Sequence, residues 1–211
     1  GTSSSSPETM VDNSSRPLFR SFTPLSTPAR TLPKMSDVMS GTSTIGETYA
    51  TTSRELNFRL TARDGNGGVT TDAMLVSTVN SGQQFRLLKP DAQLQWEAAR
   101  QSLLYWNTAG TQNAPIDCSR IALDVTSDNG NSFTTVATGL TNDGLAVVTA
   151  PQQTGDYRFR LSCEDNIFFS VSQTSVSVVA AVTSDSDGDG MSDSFETLNG
   201  LNANDASDAS G

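Results

Sequence analysis

Short stretches in which apolar and polar residues alternate, each bounded by turn-forming residues, follow one another from Gln84 almost to the C-terminal tail. In one of them Tyr157, Phe159, Leu161 and Cys163 share one face, which is the pattern of a half-buried strand. Short strands that recur about every 8–12 residues are typical of a β-sandwich. The candidate strands cover residues 84–88, 93–96, 102–107, 120–126, 132–138, 145–150, 156–164 and 168–182.

A separate strand signal lies upstream. Leu56, Phe58 and Leu60 alternate with polar residues, a Gly-rich turn follows at residues 64–68, and a second strand candidate covers residues 71–79. This order predicts a β-hairpin. The fold class predicted is therefore mostly β, with one or two Ig-like or cadherin-like sandwich modules. The predicted divisions are a polar linker or loop at 1–15, a first β-module at 16–82, an Ig-like sandwich at 83–182 and a tail at 183–211.

Charge is distributed unevenly along the chain. The formal net charge is −10, which argues against nucleic acid as a partner. All 13 Lys and Arg lie in residues 1–160 with 14 of the 23 acidic residues, so residues 161–211 hold the other nine acids and no base. An acidic tail without basic residues favours a cation as its charge partner. No apolar stretch approaches the roughly 18 residues of a transmembrane helix, so no membrane span is predicted.

The acidic tail contains a spaced motif, DSDGDGMSDSFE, at residues 185–196. Its acidic residues and glycine occupy the positions that a twelve-residue calcium loop requires, whereas a solvated acidic linker predicts no fixed spacing. Carboxylates at alternate positions point inward, Met191 offers its backbone carbonyl, and a final Glu contributes both oxygens. The predicted calcium ligands are Asp185, Asp187, Asp189, Met191, Asp193 and Glu196, with Gly190 at the sharp turn.

The sequence around this loop does not predict a paired EF-hand. Residues 176–183 are β-like, and residues 194–198 can form only one or two helical turns. We therefore expect an isolated calcium loop on a β-domain. A second ion could bind further along, where the oxygen-bearing side chains are Asn202, Asn204, Asp205 and Asp208.

Two cysteines, Cys118 and Cys163, are either free thiols or a disulfide. An exported β-domain would oxidise them, which favours the disulfide. Closing a loop of this length would stabilise the fold by about 3–4 kcal/mol in the chain-entropy model.

Trp96, Tyr105 and Trp106 have two interpretations. They could form a platform for carbohydrate, but aromatic residues on strands more often fill the core of a sandwich. We favour the core, most strongly for Trp106, which shares a strand face with Leu104.

The sequence contains no arrangement that predicts catalysis. The chain has no histidine, so it lacks both the usual general base and the commonest zinc ligand. The sequence does not exclude a pair of carboxylates for glycoside hydrolysis, although most acidic residues lie in turns or in the acidic loop. Asp64, Asn66 and Asp72 could bind a cation beside the hairpin, but Asp-Gly and Asn-Gly pairs are ordinary turn formers. We expect a protein that is not an enzyme.

Several segments resemble a known family. The segments PLFRSFTPLSTPARTLPKMSDVM, TIGETYATTSRELNFRLTARDGNGGVTTDAM and YWNTAGTQNAPIDCSRIALDVTSDNGNSF are similar to the region downstream of the zinc domain in secreted bacterial reprolysin-like metalloproteases. The tail, SDSDGDGMSDSFETLNGLNANDASDA, resembles a bacterial thrombospondin type 3 repeat. The family's zinc motif, His-Glu-x-x-His, is absent from this chain.

This resemblance implies a non-catalytic, calcium-binding accessory region of a secreted bacterial metalloprotease. Its implied partners are calcium, the catalytic domain of the parent chain and a protein or polysaccharide surface. The region would act as a spacer, a stabiliser or an anchor to substrate. In relatives the first β-module begins upstream, so residues 16–82 would be an incomplete module. The alternative function is that of an adhesin or a carbohydrate-binding module.

Overall fold

The computed structural model describes residues 11–21, 23, 26–27, 29–181 and 184–208. The chain divides into two compact units, Gly1–Gly82 and Gln83–Gly211. The fold is mostly β, as the sequence predicts, with two short helices among the described residues. Neither of these helices is long and apolar enough to cross a membrane.

The first unit contains a short helix and a hairpin. Helix α1 (Met35–Ser40) ends at Gly41, whose left-handed backbone stops it. Strands β1 (Arg54–Arg63) and β2 (Val69–Thr78) pair antiparallel over their whole length, which confirms the predicted hairpin. Within the described residues, this two-stranded sheet is the only sheet of the predicted module at 16–82.

The turn interpretation of the Gly-rich segment is also confirmed. One oxygen of Asp64 accepts hydrogen bonds from the amides of Asn66 and Gly68, at 2.8 and 2.9 Å. Asp64 therefore closes the hairpin turn.

Asp12 holds the beginning of the first unit in place. The predicted linker at 1–15 is described only from residue 11, and residues 1–10 lie outside the described residues. The buried Asp12 carboxylate accepts hydrogen bonds from the amides of Ser14, Thr51 and Thr52 and pairs with Arg54 at 2.9 Å. Burial by itself would raise the pKa of Asp12, but these hydrogen bonds hold that pKa well below its usual range.

The second unit is a sandwich of two sheets. The strands are β3 (Arg86–Lys89), β4 (Trp96–Glu97), β5 (Gln101–Asn107), β6 (Arg120–Thr126), β7 (Thr134–Thr141), β8 (Leu145–Thr149), β9 (Gly155–Cys163), β10 (Phe169–Val171) and β11 (Val176–Val179). The larger sheet has the order β4-β11-β9-β6-β7, with β10 also paired to β9, and the smaller sheet has the order β3-β5-β8. Helix α2 (Asp193–Asn199) lies in the tail.

Alternating residues of both sheets form one core. Leu104 and Val148 from the smaller sheet join Ile121, Phe159 and Leu161 from the larger one. Cys118 and Cys163 are buried in the same core and are joined by a disulfide, which confirms the prediction. Apolar burial of this kind is the main source of the sandwich's stability.

The predicted strand at 168–182 is wrong in one respect, because two strands occupy it. Ser172 lies between them and interrupts the ladder on β9. Its hydroxyl accepts a hydrogen bond from the Phe159 amide at 3.0 Å, where a continuous strand would use a backbone carbonyl. After the break, β11 pairs antiparallel with β9 again and, on its other side, in parallel with β4. Val182, at the end of the predicted strand, lies outside the described residues.

Removal of the disulfide tests how much it contributes to the stability of the second unit. We expect Cys118→Ala/Cys163→Ala to lower the free energy of unfolding of the second unit by about 3–4 kcal/mol, because the bridge closes a loop between residues 45 apart. Denaturant unfolding followed by tryptophan fluorescence measures this unit, since both tryptophans lie in it. A change in the free energy of unfolding below about 0.5 kcal/mol would contradict the stabilising role of the disulfide.

Asp12 gives a second prediction. We expect Asp12→Asn to destabilise the first unit by about 3 kcal/mol, because the neutral amide leaves the partly buried Arg54 without its counter-ion. The Asp12 pKa is lowered by folding, so this contribution is complete near neutral pH and is lost as the pH falls from the ordinary carboxyl value through the lowered one.

Hydrogen exchange at the Thr48 amide, which is bonded to the Leu18 carbonyl at 3.0 Å, reports on the first unit. The exposed Asp72 provides the control, and Asp72→Asn should leave this exchange rate nearly unchanged. Equal effects of the two substitutions would show that Asp12 has no special role.

Candidate metal centre

Three aspartates shape the acidic loop, because their carboxylates accept hydrogen bonds from backbone amides of the same loop. Asp185 accepts hydrogen bonds from the amides of Gly188 and Gly190, at 2.7 and 3.1 Å. Asp187 and Asp189 each accept from the amide two residues further on, at 3.3 and 2.7 Å. Gly190 has a φ of 96°, which a residue with a Cβ adopts only with strain. These turns leave one oxygen of Asp187 and one of Asp189 without a backbone donor.

Helix α2 brings the last loop residue back toward the aspartates. Its N-cap is Ser192, whose hydroxyl accepts from the Phe195 amide at 3.2 Å. Glu196 follows one turn later and is 0% exposed. The helix ends at Gly200, and the Leu201 amide then donates to the Glu196 carbonyl at 2.8 Å. The short helix therefore places the Glu196 carboxylate in the interior of the tail.

Carboxylate oxygens from distant positions meet at this point. Ligand atoms of Asp185, Asp187 and Asp189 lie within 4.8 Å of one another. Ligand atoms of Asp189, Glu196 and Asp208 also lie within 4.8 Å of one another. Asp189 belongs to both groups and joins them into one cluster, which we call the carboxylate cluster.

Buried oxygens of the carboxylate cluster lack hydrogen-bond partners. Five such atoms are Asp187 Oδ2, Asp189 Oδ2, Glu196 Oε1 and Oε2, and Asp208 Oδ1. A buried carboxylate without a partner is strongly destabilising, and buried charges are normally paired or bound to metal. No Lys or Arg follows Arg160 in the sequence, so the tail has no basic side chain of its own to neutralise them. The residues present therefore fit a bound cation.

The electrostatics of Glu196 agree with this fit. Burial, followed by the negative charges of Asp187, Asp189, Asp208 and Asp193, raises the pKa of Glu196 to about 6 when no cation is bound. A cation among these carboxylates would remove the repulsion between them and favour the ionised form.

The donor set indicates which kind of cation would fit. All the partnerless atoms are carboxylate oxygens, which are hard ligands, and the chain has no histidine or free cysteine to bind a softer metal. Calcium accepts several carboxylates, including a bidentate Glu, in flexible geometry, whereas magnesium keeps several waters and requires near-octahedral geometry. The carboxylate cluster suits calcium better than magnesium.

The other two predicted loop ligands are placed differently. Both oxygens of Asp193 accept hydrogen bonds from Ser186, from its amide at 2.7 Å and from its hydroxyl at 2.9 Å. These hydrogen bonds lower the pKa of Asp193. Asp193 thus braces the loop, and its role as a calcium ligand stays a prediction. Met191 donates its amide to Asp189, and its carbonyl stays a predicted ligand.

The residues predicted for a second ion lie in turns and in the carboxylate cluster, and a second ion among them stays a prediction. Asn202 accepts from the Asn204 amide at 3.3 Å, and Asp205 accepts from the Ser207 amide at 3.1 Å, so both build turns. Asp208 instead joins Glu196 in the carboxylate cluster, where the Asn202 amide bonds to its other oxygen at 2.8 Å. Sequence reasoning identified Asp208 but missed this position, because the fold-back of the chain is not visible in residue spacing.

The aromatic residues considered for carbohydrate occupy the core. Trp96 and Trp106 are 2% and 3% exposed, and both belong to the core cluster. Trp96 packs edge-on against Phe159, and the Trp106 indole donates to the Asn142 side chain at 2.9 Å. Tyr105, on the same strand as Trp106, is 38% exposed. The core interpretation of the tryptophans is confirmed.

Comparisons with known proteins do not assign the chain to a family. Neither a protein-family model nor the sequence of a curated protein matches it. Among solved structures, it is similar to the mixed-linkage glucan utilization locus protein SGBP-B of Bacteroides ovatus, solved in complex with a mixed-linkage heptasaccharide. It is also similar to a proposed bacterial DNA-binding protein from Bacteroides vulgatus.

Both similarities are weak. The first has 17% identity and a TM-score of 0.28, and covers 68% of this chain but only 35% of that one. The second has 10% identity and a TM-score of 0.31, and covers 69% of this chain and 75% of that one. At such low TM-scores neither structure supports an argument about this chain.

The two acids of the last turn provide a matched test of the site. We expect Asp208→Asn to weaken calcium binding about tenfold or more, because one buried partnerless carboxylate oxygen is removed from the cluster. Asp205→Asn removes the same charge from an exposed turn and should change the affinity little. Calorimetric titration measures both, and equal affinities for the two variants would exclude Asp208 from the site.

Proposed function

We propose that the chain is a non-catalytic, calcium-binding accessory region, in which one calcium ion fixes the tail. The five buried carboxylate oxygens without partners are the observation that carries this proposal. The ion would be held by five carboxylates, those of Asp185, Asp187, Asp189, Glu196 and Asp208. The ion would supply the positive charge that the tail's sequence lacks.

The role of the ion in this proposal is structural. The loop, helix α2 and the last turn contribute few apolar residues to the core, since the buried core cluster lies entirely in the sandwich. An ion held by residues from all three segments would cross-link them. By mass action, it would stabilise the folded tail by about 2.7 kcal/mol at a hundredfold excess over the dissociation constant.

We infer that the protein works outside the cell. The disulfide between Cys118 and Cys163 is typical of oxidising compartments, and extracellular modules often bind calcium through low-affinity sites. The resemblance to secreted bacterial metalloproteases supports a location in the same chain as a zinc-dependent catalytic domain. There the sandwich and its tail would space, stabilise or anchor that domain at a protein or polysaccharide surface.

The alternative, a carbohydrate-binding or adhesive module, has less support. Two of the three aromatic residues that could have formed a binding platform are inside the core. Tyr105 alone does not make an aromatic row of the kind that stacks on sugar rings.

Calcium titration by calorimetry tests the proposal. Wild type should release or absorb heat with a stoichiometry of one, and Asp187→Ala/Glu196→Ala should abolish it. A double variant with the same change in charge, Asp205→Ala/Glu164→Ala, keeps the carboxylate cluster intact and should bind like wild type. Unchanged heats in the first variant, or no heat in wild type, would refute the proposed site.

A further inference from the structure

One acidic residue of the sandwich forms hydrogen bonds with the beginning of helix α2. Glu97 of β4 accepts a hydrogen bond from the Ser192 hydroxyl at 2.9 Å, and its other oxygen accepts one from the Ser194 hydroxyl. In the described part of the chain no Lys or Arg forms an ion pair with Glu97. The carboxylate therefore depends on the tail for its partners. Hydrogen bonds to a charged acceptor are roughly twice as strong as neutral ones.

Glu97 belongs to the strand pair from which the tail departs. It lies opposite Val179 in the parallel pairing of β4 and β11, and the Ala98 amide donates to the Val179 carbonyl at 2.9 Å. The tail begins a few residues after Val179. The contact between Glu97 and the helix thus closes a loop that starts and ends on the same edge of the sheet.

The same helical turn holds a predicted calcium ligand. The Ser192 hydroxyl contacts Glu97, and the Ser192 carbonyl accepts from the Glu196 amide at 3.0 Å. Ser192 is 1% exposed and Glu196 is 0% exposed, so both side chains lie in the interior. One helical turn therefore connects the sandwich to the carboxylate cluster.

Beside this contact, the helix and the sandwich enclose a cleft of about 360 Å³. Phe195 and Leu198 line it from the helix, and Leu94, Trp96 and Leu103 line it from the sandwich. The cleft exists only while α2 stays in place beside the sandwich.

We propose that Glu97 is a positioning residue for the calcium site, so that ion binding and docking of α2 on the sandwich strengthen each other. This inference rests on the proposed calcium-binding function. Without the ion, the partnerless carboxylates repel one another and drive the loop and α2 apart, which removes the serine partners of Glu97. With the ion, Glu196 is fixed and the serines are held against Glu97. By thermodynamic linkage, loss of the Glu97 contact must weaken calcium binding by the same factor by which calcium strengthens docking.

The test uses calcium titration of the full chain carrying Glu97→Gln or Ser194→Ala. We expect the dissociation constant to rise about five- to tenfold in each. Ser194→Ala changes no charge, so its effect cannot come from long-range electrostatics. Its control is Thr197→Ala on the same helix, whose hydroxyl bonds, among the described residues, to the Asp193 carbonyl of that helix at 2.7 Å. Glu164→Gln, which removes one acid from another turn of the sandwich, is the control for Glu97→Gln. Both controls should bind calcium like wild type.

A second readout separates coupling from simple stability. Calcium should slow hydrogen exchange at the Ala98 amide in wild type and in Thr197→Ala, but much less in Glu97→Gln and Ser194→Ala. If the contact were only structural, the variants would exchange faster with and without calcium and would keep the wild-type affinity. That result would overturn the inference while leaving the calcium site intact. Absence of calcium binding in wild type would instead refute the proposed function.

Discussion

Repulsion among buried carboxylates is the constraint on which the tail depends. Five of their oxygens are enclosed without a hydrogen-bond donor, in a segment that has no basic residue. Such an arrangement is unfavourable in the absence of a cation, since each buried charge needs a partner. The hydrogen bonds from loop amides to the three aspartates shape the backbone but leave this charge uncompensated. A calcium ion would neutralise these carboxylates and fix the position of the tail.

The sandwich has a different source of order. Its core is apolar, it draws on both sheets, and the disulfide joins two buried positions within it. The apolar core and the acidic tail meet at β4, where Trp96 packs into the core and the adjacent Glu97 accepts a hydrogen bond from the tail. Neighbouring residues on a strand point to opposite faces, so one two-residue strand can serve both the apolar interior and the polar contact with α2.

Local patterns in the sequence predicted much of this structure. Alternation placed Phe159, Leu161 and Cys163 in the core, and the strand at Arg120–Thr126 has the predicted bounds. The spacing of the acidic loop predicted that Asp185, Asp187, Asp189 and Glu196 belong to one site. This worked because all four residues lie within one twelve-residue loop, so short-range spacing determines their relative positions. What spacing could not predict depends on contacts between distant segments. These are the parallel pairing of β11 with β4, the approach of Asp208 to Glu196, and the hydrogen bonds from Ser186 to Asp193.

Calcium binding by the tail is tested most directly by a crystal structure of the chain grown with calcium and measured for anomalous scattering. We predict one strong anomalous peak among the carboxylates of Asp187, Asp189, Glu196 and Asp208. A well-ordered tail with no peak there, or with these carboxylates turned out to solvent, would contradict it.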